Sequence, residues 1–186
     1  MANSKTWVID PLHSEVLFKI KHLVISTVTG SFRKFEGRAV TEGEDFTNAK
    51  VSFSIDVKSI DTNQAQRDGH LQNGDFFAAD EYPEIRFESV SFTPAGDALY
   101  KMKGNLTLRG VTKPVELNVE YGGAENDGHG HVKHGFEVTG TINRKEFGMT
   151  WNKITDSGGL GLGEDIKLIA NIQVAELVEA AASVTA

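Results

Sequence analysis

Apolar and polar residues alternate with period two along most of this chain, as in antiparallel strands with one buried and one wet face. In SEVLFKIKHL, Ser14, Val16, Phe18, Ile20 and His22 share one face, and Glu15, Lys19 and Lys21 share the other, with Leu17 the exception among the charged set. From Ala49 to Val57 the inward set is Val51, Phe53, Ile55 and Val57. Strand character resumes from Ile85 to Thr93. It then runs through Tyr100, Met102, Leu106 and Leu108, through Val115, Leu117, Val119 and Tyr121, through Phe136, Val138, Gly140 and Ile142, and through Ile166, Leu168, Ala170, Ile172 and Val174. Turns are expected at Pro94–Asp97, at Gly110–Pro114 and at Asp156–Asp165, with an exposed hairpin loop from Gly122 to Gly135. Phe32 and Phe35 lie three apart, which predicts a bulge or bend that turns both rings inward. Gly30, Gly37 and Gly43 fit turns or bends of a curved sheet. Such segments number about eight, near the count whose closure leaves an interior for side chains or one small ligand.

One stretch, Gln66 to Phe87, follows neither the alternation nor the glycine-rich turns. It carries adjacent phenylalanines, Phe76 and Phe77, which cannot both point inward from a regular strand. Gln64 to Asn73 is expected to make about two helical turns. Phe76 and Phe77 would then plug one end of the closed β structure. An ordinary helical crossover with no ligand role is the alternative, and both readings bury the two rings.

Composition narrows the function classes. The net charge of −7 and the lack of a basic stripe longer than Arg33-Lys34 argue against nucleic acid as a partner. There are no cysteines, which removes disulfides, thiolate catalysis and sulfur-ligated metals. The N-terminal residues have no apolar core of a signal peptide, and no stretch approaches a bilayer span, so no stable membrane insertion is expected. As written the chain reads as cytoplasmic, or as periplasmic if a leader has been removed. With no linker or repeat, residues 1–186 read as one domain.

Candidate chemistry is sparse. His129, His131 and His134 form a histidine-rich tract, best taken as a solvated loop rather than a metal site. Gly158, Gly159, Gly161 and Gly163 precede a strand rather than a helix, which excludes a phosphate-cradling loop. Ser14 and His13 point to opposite faces of a strand, and no Gly-x-Ser-x-Gly elbow exists, so no catalytic residue is assigned. His22 lies near a strand end beside Phe18 and Ile20; it reaches a barrel mouth or is simply satisfied by hydrogen bonds there. Arg144, in NRKEFGMTW, either meets a ligand head group at a cavity rim or is an exposed arginine beside core aromatics.

Trp7–Asp10, His13-Ser14 through Phe18 to His22, Gly30, Phe32 and Gly37 carry a resemblance, as do Ser59–Thr62 and Leu71–Pro83 with Phe76-Phe77 and Tyr82-Pro83. It continues through GNLTLRGVTKP (Gly104–Pro114), Asn143-Arg144 and Phe147-Gly148. This ordered set resembles the YceI-like family of polyisoprenoid- and lipid-binding proteins. The resemblance implies an all-β fold, a single antiparallel eight-stranded lipocalin-like barrel with a short helical segment near residues 64–79. It also implies an elongated apolar channel for an isoprenoid or fatty chain. Many relatives are exported and relatives are often dimeric, so a homodimer is expected on that ground. Burying each methylene contributes about 0.8 kcal/mol, so a long lipid can bind through apolar contact alone.

The expected ligand surface comprises Phe18, Ile20, Phe53, Phe76, Phe77, Met102, Leu106 and Leu108, with His22 and Arg144 as its polar members. The expected function is non-enzymatic binding, sequestration or transport of a long-chain lipid, such as a polyisoprenoid or isoprenoid quinone, with no further cofactor and no metal. An enzyme acting on a lipid or quinone through His22 or Arg144, and a solid-core structural barrel, are the rival readings.

Overall fold

The computed structural model describes residues 3–156, 158 and 161–178. Gly159, in the glycine-rich stretch noted above, lies outside them, so the Asp156–Asp165 turn is described only in part.

The described strands join one antiparallel sheet. The chain enters along β1 (Ser4–Ile9), steps through a short 3-10 turn at Pro11–His13, and continues as β2 (Glu15–His22). Asp10 caps that turn by accepting from the Leu12 amide at 3.0 Å. Both strands lie against the last strand, β11 (Leu162–Glu176): β2 against its first part, with Leu168 opposite Phe18, and β1 against its end, with Ile9 opposite Val174. The step thus splits one long strand position into two pieces that diverge. β2 turns back into β3 (Ser26–Phe32), while β1 pairs with β4 (Phe35–Glu42).

From β4 the sheet proceeds through β5 (Asp45–Asp56). A two-residue strand β6 (Ile60–Asp61) pairs only with β3, and the helix α1 (Ala65–Gln72) follows it. The sheet goes on through β7 (Glu84–Gly96), β8 (Leu99–Leu108), β9 (Val111–Asn126) and β10 (Val132–Asn143) to β11, which meets β1 again. Eight strands (β1, β4, β5, β7, β8, β9, β10 and β11) therefore close a barrel, and β2, β3 and β6 extend it on one side.

The inward faces follow the alternation. Val16 and Phe18 are buried on β2, and Met102, Leu106 and Leu108 on β8. The chain bends between β3 and β4 as the Phe32/Phe35 spacing predicts: Phe32 is buried, and Phe35 stacks on Phe53 at 6.0 Å. Gly43 lies in the turn between β4 and β5 with a φ of 70°, and Gly30 and Gly37 lie inside strands of the curved sheet. Gly30 sits opposite Phe18, and a Cβ there would strike the Phe18 ring, so its missing side chain makes room for an inner aromatic. The β7–β8 turn falls two residues later than expected, at Asp97-Ala98, and the β8–β9 turn is confined to Arg109-Gly110, with Val111–Pro114 already paired. The Gly122–Gly135 loop is also shorter. Pairing runs on to Asn126 and restarts at Val132, because the glycines are accommodated as strand with a register shift near Gly135/Phe136. His134 therefore sits in β10, buried, and not in a solvated loop; His131 remains in the loop with its Nδ1 at 3.2 Å from Asp127.

Candidate functional site: an apolar cavity with one lone buried donor

The inner faces of the strands enclose a cavity of about 310 Å³. On β11 its lining comprises Leu162 and a run from Ile166 to Val174. At about 3.4 Å per residue and a strand tilt of about 40°, that run covers about 20 Å along the barrel. The cavity is therefore long and narrow rather than round. Its lining is apolar except for His22, Arg38, Ser52, Thr62, Arg67 and Arg144.

All ten residues singled out from the sequence line this cavity. Phe18, Met102, Leu106 and Leu108 are buried inner-face residues, and Ile20 and Phe53 are half-buried on the same faces. Phe76 and Phe77 reach it from outside the sheet. His22 is solvent-exposed and sits at the rim, at the end of β2.

Register puts the β8–β9 turn, the exit of β10 and the β2–β3 hairpin at one end of the barrel, since Leu108 faces Val111, Asn143 faces Asp165 and His22 faces Leu162. The non-strand segment covers this end. Gln64 caps α1 by accepting from the Arg67 amide at 2.6 Å. Arg67 turns back and donates to the Thr62 hydroxyl at 2.7 Å and the Thr62 carbonyl at 2.5 Å, while that hydroxyl donates to Asp68 at 2.5 Å. Beyond the helix, the Phe77 amide donates to the Leu71 carbonyl at 3.0 Å. The ring of Phe77 meets Phe32 edge-on at 5.9 Å, and Phe32 lies 5.5 Å from Phe18; Phe76 packs 5.3 Å from Trp151. Arg109, in the β8–β9 turn, ties the cover down by donating to the carbonyls of Gly74 and Gly148.

Arg144 is neither at the rim nor exposed: it is 1% exposed and completes the floor of this end. A 3-10 turn from Arg144 to Phe147, capped by Asn143, reverses the chain so that the guanidinium faces main-chain carbonyls. Its Nε donates to Gly163 at 2.8 Å, and its Nη1 donates to Met149 at 2.7 Å and Trp151 at 2.8 Å. Its Nη2 is buried without an acceptor. Burial pushes the guanidinium down from its ordinary value and Glu164 pulls it back up, but an arginine stays charged. A buried cation with a spare donor is a site for an acceptor oxygen.

A family model for the YceI-like domain matches residues 7–174. The chain belongs to the YceI-like family. A UPF0312 protein of Staphylococcus aureus (strain N315) is 39% identical over 165 residues, covering 88% of this chain and 94% of that protein. A Campylobacter jejuni YceI protein of known structure is 33% identical and superposes with a TM-score of 0.73, covering 86% of this chain and 91% of that one. Burkholderia cenocepacia BcnA shares the fold at 22% identity with a TM-score of 0.76, covering 89% of this chain and 98% of that one. So does a polyisoprenoid binding domain from Saccharophagus degradans, at 15% identity and a TM-score of 0.65, covering 92% of this chain and 98% of that one.

The sequence did not single out the Thr62–Arg67–Asp68 cluster or the Arg109 clamp of this YceI-like barrel. The signal was present in two places. Arg67-Asp68 is a charged pair at the start of a segment that must lie over an apolar interior, and Arg109 precedes a glycine at a tight turn, where its side chain is free to reach other loops.

Proposed function

We propose that this protein holds a long-chain apolar lipid of the polyisoprenoid class in the barrel cavity, as a carrier or sequestering protein rather than an enzyme. The carrying observation is an elongated apolar cavity with one fully buried cation that has a spare N–H. The tail lies along the strands, where apolar contact contributes about 0.8 kcal/mol per methylene. The head-group oxygen, a carbonyl of a quinone or an oxygen of an acid or phosphate, accepts from Arg144 Nη2 and fixes the orientation. The shared fold of the polyisoprenoid binding domain from Saccharophagus degradans supports the isoprenoid class. A binding role is supported by the use already made of the polar lining: Thr62 and Arg67 are spent on each other and on Asp68.

Native mass spectrometry of the intact protein, followed by organic extraction, tests this. The expected result is a co-purifying lipid with an isoprenoid or fatty tail. Protein from lipid-replete cells that yields none, and takes up no added isoprenoid, overturns it. Phe18→Glu, which sets a charge in a dry channel, should abolish uptake, whereas Lys19→Glu on the opposite face should leave it unchanged.

A further inference from the structure

A long lipid enters a barrel where the wall is least tied to its surroundings. Each of the eight closing strands is paired on both sides, so none parts from its neighbour without breaking a ladder. The segment over the Arg144 end is held differently. Its main-chain hydrogen bonds stay within it: Phe77 donates to Leu71 at 3.0 Å, Ala79 to Gln72 at 2.8 Å and Tyr82 to Ala78 at 2.9 Å. Among the described residues, no main-chain hydrogen bond joins residues 64–82 to the rest of the chain. The segment is thus a folded unit of its own. Its helix α1 buries none of its residues, and Phe76, Phe77 and Ala79 supply its buried contacts.

The ties of this unit fall on two sides. It is entered at Thr62-Asn63 and left at Tyr82-Pro83. The Val57 amide donates to the Pro83 carbonyl at 2.9 Å, which brings the exit beside the turn that leads into β6. Arg67 and Asp68 both hold Thr62, and Lys58, in that same turn, pairs with Asp80 at 2.8 Å. Asn63 has a φ of 65°, a backbone state that asparagine tolerates and most residues do not. Tyr82 sits over Gly110. These contacts anchor the edge next to the joints.

The far edge rests on side chains. Arg109 donates to the Gly74 carbonyl at 2.7 Å, and the rings of His70 and Phe76 lie against Trp151 at 4.9 Å and 5.3 Å. Beneath that edge is the cavity, lined by Leu71, Phe76 and Phe77 of the same unit. A compact unit anchored along one edge and propped along the other is built to turn about the anchored one.

We propose that residues 64–81 form a hinged lid that swings about Asn63 and Tyr82-Pro83 to pass the lipid at this end, with Arg109 as its latch. The lid rests on the carrier reading for its purpose, but its opening is measurable without lipid. Neither Arg109 nor Gly74 lines the cavity. Loosening the latch therefore raises the open population of loaded and empty protein alike, so uptake and release quicken by one factor and their ratio stays fixed.

Two readouts on the full chain test this: exchange of deuterated for unlabelled geranylgeraniol by native mass spectrometry, and amide hydrogen exchange. Arg109→Ala should speed both uptake and release about tenfold or more, as expected for loss of a charge-assisted hydrogen bond, with Kd unchanged. The amides of Phe77, Ala79 and Tyr82 should exchange at one common rate, faster than those of β8, and faster again by the same factor in Arg109→Ala. The chain has no cysteine, and a Cβ at Gly74 meets open space, so Gly74→Cys with Arg109→Cys can be bridged by a flexible bismaleimide. Bridged, this variant should stop exchanging lipid; unbridged, it should exchange as fast as Arg109→Ala. Bridged protein that exchanges lipid at the unbridged rate, a Kd that weakens as much as release quickens in Arg109→Ala, or segment amides as slow as those of β8 overturns the lid. A segment that opens as one unit in a protein that takes up no geranylgeraniol overturns the carrier reading alone.

Discussion

The two ends of this barrel are closed by different means. At the end bearing the hairpin tip, the cover is made of segments that are not strands: α1, the Phe76-Phe77 turn and the 3-10 turn at Arg144. Arginines hold these segments by donating to main-chain carbonyls. At the opposite end, side chains projecting from the strands do the closing. Trp7 on β1, Phe46 on β5, and Tyr121 and His134 on β9 and β10 pack together, with Trp7 4.7 Å from His134 edge-on and 5.2 Å from Phe46. Trp7 Nε1 donates to the Thr41 hydroxyl at 2.8 Å, which donates in turn to the Gly43 carbonyl at 2.7 Å. A cover that spans a gap between diverging strands must satisfy its own backbone groups, and long cationic side chains do that at a distance. A cover made of strand side chains has its backbone paired already and needs only to pack. The first kind leaves a buried donor without a partner on a residue that lines the cavity, whereas the indole, hydroxyl and imidazole groups of the second have partners.

Arg144→Met should break the first end most severely. Three main-chain carbonyls lose a charged donor, and the unfolding free energy should fall by at least about 3 kcal/mol, read from urea denaturation. The variant should also purify with less lipid, because the donor proposed for the head group is gone. A loss of lipid without a loss of stability would mean that the three carbonyl bonds contribute little.

Thr41→Val tests the other end. It keeps the shape but leaves the Trp7 indole N–H buried without an acceptor, for a loss of about 1–2 kcal/mol in the same assay. Lipid content should stay at the wild-type level. If Thr41→Val empties the cavity as Arg144→Met does, the division of labour between the two ends is wrong.

The same contrast explains what could be read from the sequence. Period-two alternation locates residues on strands, so the inner faces from Phe18 to Leu108 and the closed barrel were legible. Adjacent phenylalanines betrayed the cover. Arg144 was recognisable as a residue of interest but not as buried, because burial of a cation depends on carbonyls of Met149, Trp151 and Gly163 that a chain reversal brings to it. His134 was misplaced for a related reason. Its neighbours in sequence are glycine and polar residues, and nothing local shows that Trp7 and Phe46 pack over it.

His134 gives the smallest and most specific test of the comparison. Its Nδ1 lies 2.7 Å from the Tyr121 hydroxyl, and burial pushes its pKa below the ordinary value, with Lys5 lowering it further and Glu44 opposing. Since the folded value is lower, the unfolded chain takes up the proton first as the pH falls. This histidine's contribution is therefore fully present above about pH 6.5 and is lost as the pH drops from there through the folded value. Asp10 responds in a separate window. Its carboxyl is held at about 2 by the hydrogen bond to His13, with Lys133 and the Leu12 amide assisting. Its contribution persists above about pH 3.8 and fades only below it. Urea midpoints for wild type and His134→Gln, measured from about pH 7.5 down to about pH 4.5, should converge as the pH falls, because the glutamine has no proton to gain. Tyr121→Phe should keep the wild-type trend in direction, since burial is the leading cause of the shift and the hydroxyl is not among its causes. Parallel curves for wild type and His134→Gln would show that acid acts elsewhere, and that the closure at this end carries no pH-dependent weakness.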